Sequence, residues 1–208
     1  MTSSYMRDGA EIYRRSFATI RAETDLAGVE PILERTIVRM IHACGMVDLV
    51  ADVDASPGFA QAAEAALRAG APVLCDTNMV ASGVTRSRLP TGNDVVCALT
   101  DERVAPLAAQ LGTTRTAAAV ELWRARLEGA VVVIGNAPTA LFHLLDLLDA
   151  GGPRPAAVIG IPVGFIGAAE SKNALAEHAG LDHLVVHGRR GGSALAAAAV
   201  NALASPIE

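Results

Sequence analysis

The run Arg39-Met40-Ile41-His42-Ala43-Cys44-Gly45-Met46 places one titratable histidine inside an apolar stretch that stops at a glycine. Arg39 precedes His42 by three residues, about one helical turn, so both fall on one helix face. A half-buried imidazole beside a fixed cation can hold or release a proton near neutral pH. Two readings stay open from spacing alone: an acid/base group, or a core histidine satisfied by a backbone carbonyl.

A second constellation is cationic. Arg14, Arg15, Arg39, Arg86, Arg88, Arg115, Arg189 and Arg190 fall in or beside segments that read as loops or as the N-terminal helices. Any one of them could be a solvated surface charge. Together they suggest an anionic ligand held through bidentate pairs. Ser16, in YRRSF, and Thr85, in GVTRSRLP, could hydrogen-bond a carboxylate, although helix back-bonds and turn caps are common uses of such hydroxyls. The segment GNAPTA puts Gly135, Asn136 and Pro138 after an apolar run, with Thr139 opening a helix. Helix N-terminal N–H groups placed that way suit a carboxylate or a phosphate. GIPVGFIG lacks the G-x-G-x-x-G spacing, and no Walker A sequence occurs, so a dinucleotide or P-loop site is not supported. Asp76 and Asp94 fit turn or strand-edge roles, not a carboxylate pair, and Lys172 could either reach a ligand or be solvated. His143, His178, His183 and His187 share no metal-ligand spacing, so no metal and no cofactor are expected.

The elements that must position these groups read as an α/β alternation. Five short apolar runs, 72–75, 94–99, 130–134, 156–161 and 183–187, predict buried strands. Helical patterns fall at 57–68, 114–127, 139–148, 168–178 and 193–204. Before the first strand come helices over 8–25 and 31–44, with a possible short one over 46–50. Continuous apolar strands alternating with helices predict a doubly wound, mainly parallel sheet with helices on both faces. A single domain is expected over residues 1–208, with a helical N-terminal arm at 1–56 and an α/β core at 57–208. Ligands of such folds bind at the carboxyl ends of the strands. The loops there are 76–88, 100–104, 135–138, 160–167 and 188–192.

Bulk properties bound the function. The chain is 51% apolar but only 3% aromatic, so its core must be built from Ala, Val, Leu and Ile. A formal charge of −5 argues against nucleic acid as a main partner. No run of about eighteen apolar residues is present, so no membrane helix is expected. The N-terminal MTSSYMRDGAEIYRRS lacks the apolar stretch of a secretion signal. Three widely spaced cysteines, Cys44, Cys75 and Cys97, read as reduced thiols of a cytoplasmic protein.

Five segments in order, DGAEIYRRSFATIRAE (8–23), RMIHACGM (39–46), GNAPTALFHLL (135–145), IGIPVGFIGAAESKNAL (159–175) and GRRGGSALAAAAVNALA (188–204), resemble the precorrin-8X methylmutases of cobalamin biosynthesis. The resemblance covers nearly the whole chain. It implies an isomerase that converts precorrin-8X to hydrogenobyrinate by moving a methyl group from C-11 to C-12 of the corrinoid ring. The substrate it implies is a tetrapyrrole-derived polycarboxylate, whose acetate and propionate arms match the arginines. His42 stands where the family has its proposed catalytic acid/base. Ser16 and Arg39 are expected as its positioning neighbours, and Thr85, Arg86, Arg115 and Asn136 as carboxylate or ring contacts. A homodimer is implied, with the N-terminal arm and the Ala-rich last helix as interface candidates, and with possible hand-over of product to the next pathway enzyme. The chain departs from the family wording CDAEMVAHGVTR at Asn78 and Ser82. Three rivals are a cobalt-precorrin-8 methylmutase of the anaerobic route, a non-catalytic corrinoid carrier, and a nucleotide-binding α/β enzyme.

Overall fold

A computed structural model describes residues 5–207. Residues 1–4, which open the segment read above for a secretion signal, and residue 208 lie outside the described residues. The chain begins with α1 (Gly9–Glu23) and α2 (Pro31–Cys44), then a 3-10 turn at Val47–Asp52 and strand β1 (Val53–Ala55). There follow α3 (Phe59–Arg68), β2 (Val73–Cys75), α4 (Asn78–Gly83), β3 (Val95–Val96), α5 (Val104–Leu111), α6 (Arg115–Glu121) and β4 (Val131–Ile134). The last units are α7 (Pro138–Asp149), β5 (Ala157–Gly160), α8 (Ala168–Glu177), β6 (His183–Val186) and α9 (Ser193–Ala204).

The six strands form one sheet in the order β1-β6-β5-β4-β2-β3. All pairs are parallel except β1 with β6. From β2 the chain steps outward to β3, then returns past β2 to β4 and winds on through β5 to β6. That reversal makes the sheet doubly wound, with its switch point between β2 and β4. Strands β2, β4, β5 and β6 are buried along their whole length, as expected of parallel strands covered on both faces. Alternate residues divide between two cores. Val73, Val131, Val133 and Ile159 face the layer of α2, α3 and α9, while Leu74, Val132, Ile134 and Val158 face the layer of α7 and α8.

Several local expectations need correction. Strand β1 lies inside the segment expected to be helical and closes one sheet edge against β6. It is three residues long, too short to show a period in sequence. The helix expected over 114–127 ends at Glu121 and continues as turns, and the strand expected over 94–99 shortens to Val95–Val96. The loop 76–88 contains α4, started by the Thr77 side chain accepting from the Val80 N–H. Residues 104–111, which carried no expected element, form α5, ended by Gly112 in the left-handed region.

Helix α2 is not a detached arm. Pro31 occupies its first turn and the Glu30 carboxylate accepts from the Ile32 and Leu33 N–H groups, so its start is fixed. It ends at Gly45, whose φ of +70° needs a glycine. Thr36, Ile37, Val38, Met40 and Ile41 are buried, and Arg35 donates to the Ala202 carbonyl of α9. Helix α9 buries ten of its twelve residues; its alanines let it lie close to α2, α4 and the sheet.

Candidate active site

Helix α1 contributes Tyr13, Ser16 and Phe17, spaced to share one face. Helix α2 contributes Arg39 and His42 from its last turns. Ser16 Oγ lies 2.8 Å from His42 Nδ1. The His42 ring stands 5.1 Å from the Tyr13 ring and edge-on, 5.0 Å, to Phe17. Phe17 is buried and also carries the Arg39 guanidinium 5.3 Å above its ring. One aromatic platform therefore locates both the imidazole and the cation. Burial, and next the Arg39 charge, lower the His42 pKa from its usual 6.5, so the ring is mostly neutral at pH 7.

The opposite wall comes from the β2–β3 connection and α9. Asn201 accepts from the Thr85 N–H at 2.7 Å and donates to the Gly83 carbonyl at 2.9 Å. Gly83 must be a glycine here: a Cβ would lie 2.6 Å from the Ala197 Cβ. The two walls enclose an open cleft of about 320 Å³, lined by Tyr13, Arg39, His42, Thr85 and Asn201 with small alanines between them. Four of the expected residues are thus brought together: His42, Ser16, Arg39 and Thr85.

The other three do not line this cleft. Arg86 lines a separate cavity beside β3, with Leu89, Asp94 and Arg126. Arg115 is exposed at the start of α6 and donates to the Leu99 carbonyl at 3.3 Å. Asn136 has an exposed side chain in the loop after β4. Thr114, beside Arg115, contacts Thr139 across 2.8 Å, so Arg115 and Asn136 flank one threonine cluster.

Tyr13 and Asn201 were not among the expected site residues. Tyr13 had a signal, lying three residues before Ser16; Asn201, in an alanine run, had none that names a partner. Asp76 has a role beyond a plain turn. It is buried just after β2, and its carboxylate accepts from the Gly135, Asn136 and Ala137 N–H groups at 3.1, 2.9 and 2.8 Å. The chain's own carboxylate therefore occupies the switch-point N–H groups at which other α/β proteins bind phosphate. Lys172 is not solvated. It is fully buried, donates to the Arg190 carbonyl at 2.6 Å, and burial pushes its pKa down to about 8. Among the described residues no group of three His, Cys, Asp or Glu side chains could hold a metal ion, and no helix is long and apolar enough to cross a membrane.

The fold and the cleft define a doubly wound α/β protein with a histidine, an arginine and a threonine brought to one open cleft. The family model described as "Precorrin-8X methylmutase" matches residues 11–206. The precorrin-8X methylmutase of Pseudomonas aeruginosa is 62% identical over 98% of this chain and 99% of its own length. That of a Sinorhizobium species is 58% identical over 97% of each. The cobalt-precorrin-8 methylmutase of Salmonella typhimurium is 37% identical over 96% of each. The crystal structure of the precorrin-8X methylmutase of Thermus thermophilus superposes with a TM-score of 0.86, at 39% identity, over 94% of this chain and 95% of that one. The chain belongs to the precorrin-8X methylmutase family, the isomerases of that name in cobalamin biosynthesis.

Proposed function

We propose that this cleft isomerises precorrin-8X to hydrogenobyrinate, with His42 as the proton donor and acceptor beside the migrating methyl group. The observation that carries this is the Ser16–His42 pair at 2.8 Å, set in the cleft of a chain 62% identical to a precorrin-8X methylmutase. The methyl group moves from C-11 to C-12 within one molecule, so atoms balance with no external donor and no oxidant. Ser16 engages Nδ1 and leaves Nε2 for the ring. Arg39 and Thr85, which line the cleft, take one carboxylate arm of the ring. Arg86, Arg115 and Asn136, which lie outside the cleft, take arms that reach further out. Proton transfer by a placed histidine contributes roughly 10²–10⁴-fold, and rigid placement of the ring supplies much of the rest.

The metal-free substrate is favoured over the cobalt form. Identity is 62% and 58% to two proteins named for precorrin-8X, against 37% to the Salmonella protein named for the cobalt form. We place the enzyme in the cytoplasm as a homodimer that passes product to the next pathway enzyme. The three free thiols support the first statement, and exposed Ile12 and Tyr13 on α1 support a contact through that helix.

The test is conversion of excess precorrin-8X by a small amount of purified protein, followed by visible absorption, since substrate and product share one mass. Many turnovers per chain are expected. A spectral change that stops at one equivalent would indicate a carrier, and none at all would refute the assignment.

A further inference from the structure

A second cavity, about 280 Å³ and mainly apolar, lies beside the His42 cleft. It is bounded by Met46, Leu49, Val163, Gly191 and Leu195. Ala43 and Ala194 line both cavities, so the two are halves of one trough running across the end of α2 and the start of α9. The first half is polar and holds the proton-transfer group. The second half has no part in that chemistry.

The rim of the apolar half is the β5–α8 loop. Val163 lies on the cavity, and the next two large side chains, Phe165 and Ile166, are 80% and 89% exposed. No other large hydrophobic side chain among the described residues is as exposed as these two. Gly164 and Gly167 bracket them with φ of +146° and +75°, conformations that suit glycine. The base of the loop is fixed: Gly192 N–H donates to the Ile161 carbonyl at 2.9 Å and Gly164 N–H to the Arg189 carbonyl at 3.3 Å. The Arg189 guanidinium sits 5.1 Å above the Phe165 ring. Buried Lys172 holds the neighbouring Arg190 carbonyl at 2.6 Å, so the facing loop is anchored too.

We propose that Phe165 and Ile166 are ring-recognition residues, covering the flat face of the macrocycle while its reacting edge lies at His42. This rests on the function proposed above. The occupant that fits is apolar on its face and anionic at its rim. Such a ligand matches a two-residue apolar tip with a cation directly over it, and it must be large enough to span both halves of the trough. A second copy of the chain docking there would also account for the exposed side chains, and light scattering of the loop variant separates the two.

The test is a titration of wild type and the double variant F165A/I166A with hydrogenobyrinate, followed by visible absorption. Light scattering of the same samples and a turnover assay of the wild type accompany it. We expect the dissociation constant to rise by about tenfold or more for the pair, with the molecular mass and the thermal midpoint unchanged. Arg189→Ala should weaken binding less, and more so at low salt. Unchanged affinity in F165A/I166A overturns the inference while leaving the isomerase standing. A smaller molecular mass for the variant also overturns it, and assigns the loop to contact between copies. A wild type that turns over no precorrin-8X refutes the proposed function, and this inference with it.

Discussion

The proposed catalysis rests on one imidazole whose surroundings fix its place and favour its neutral form. Phe17 supports the ring edge-on, Ser16 engages Nδ1, and burial with the Arg39 cation lowers its pKa. The turnover profile should therefore contain a limb with its midpoint below pH 6.5. Arg39→Met removes the positive neighbour but keeps most of the stem, so that midpoint should move to higher pH. The move should be partial, because burial is the larger cause and remains. A midpoint that stays put in Arg39→Met would separate the arginine from the histidine's titration. Stability carries the same sign: the unfolded chain binds the proton more readily, so this contribution falls as pH drops below 6.5. In sequence the Arg39–His42 spacing showed a possible acid/base pair but could not distinguish it from a core histidine. The difference lies in Ser16, twenty-six residues away from His42, and in Phe17. No local pattern states which helix packs on which, so that contact was reachable only through family resemblance.

At the scale of elements, the cleft depends on how the β2–β3 connection, the loop after β4 and α9 meet. Gly135, like Gly83, is a point of close approach. A Cβ there would stand 2.8 Å from both Ala196 and Val80. Asp76 holds the same loop from below by accepting three buried or half-buried N–H groups. Asp76→Ala would leave those donors without their acceptor and should cost roughly 3 kcal/mol, read as a lower denaturant midpoint with unchanged slope. Asp76→Asn retains one acceptor oxygen and should cost less. Equal stability of Asp76→Ala and wild type would show that water replaces the carboxylate at no cost. The strands β2, β4, β5 and β6 and the long helices were legible because each carries a sustained apolar pattern. Strand β1 and helices α4 and α5 were not, because each is only three to eight residues long, too short to carry a sustained pattern. Lys172 was misread for a similar reason: its burial comes from the 188–192 loop folding over it, which its own neighbours in sequence do not reveal.

For the whole molecule, the doubly wound sheet sets one edge apart for ligands, and the N-terminal helices convert a part of that edge into a cleft. The exposed Ile12 and Tyr13 make α1 the proposed contact between copies. Light scattering at micromolar concentration should give twice the mass of the 21.4 kDa chain. A monomer there would remove the dimer from the account. The fold class was legible from the alternation of apolar runs and helices. The switch-point geometry was not, because strand order is not written in the order of elements. The central claim, that this cleft isomerises a corrinoid through His42, is tested most directly by comparing wild type with His42→Ala on precorrin-8X under one visible spectrum. We expect conversion by the wild type, a loss of about 10²-fold or more in the variant, and hydrogenobyrinate still bound by both. Conversion by His42→Ala at the wild-type rate would contradict it.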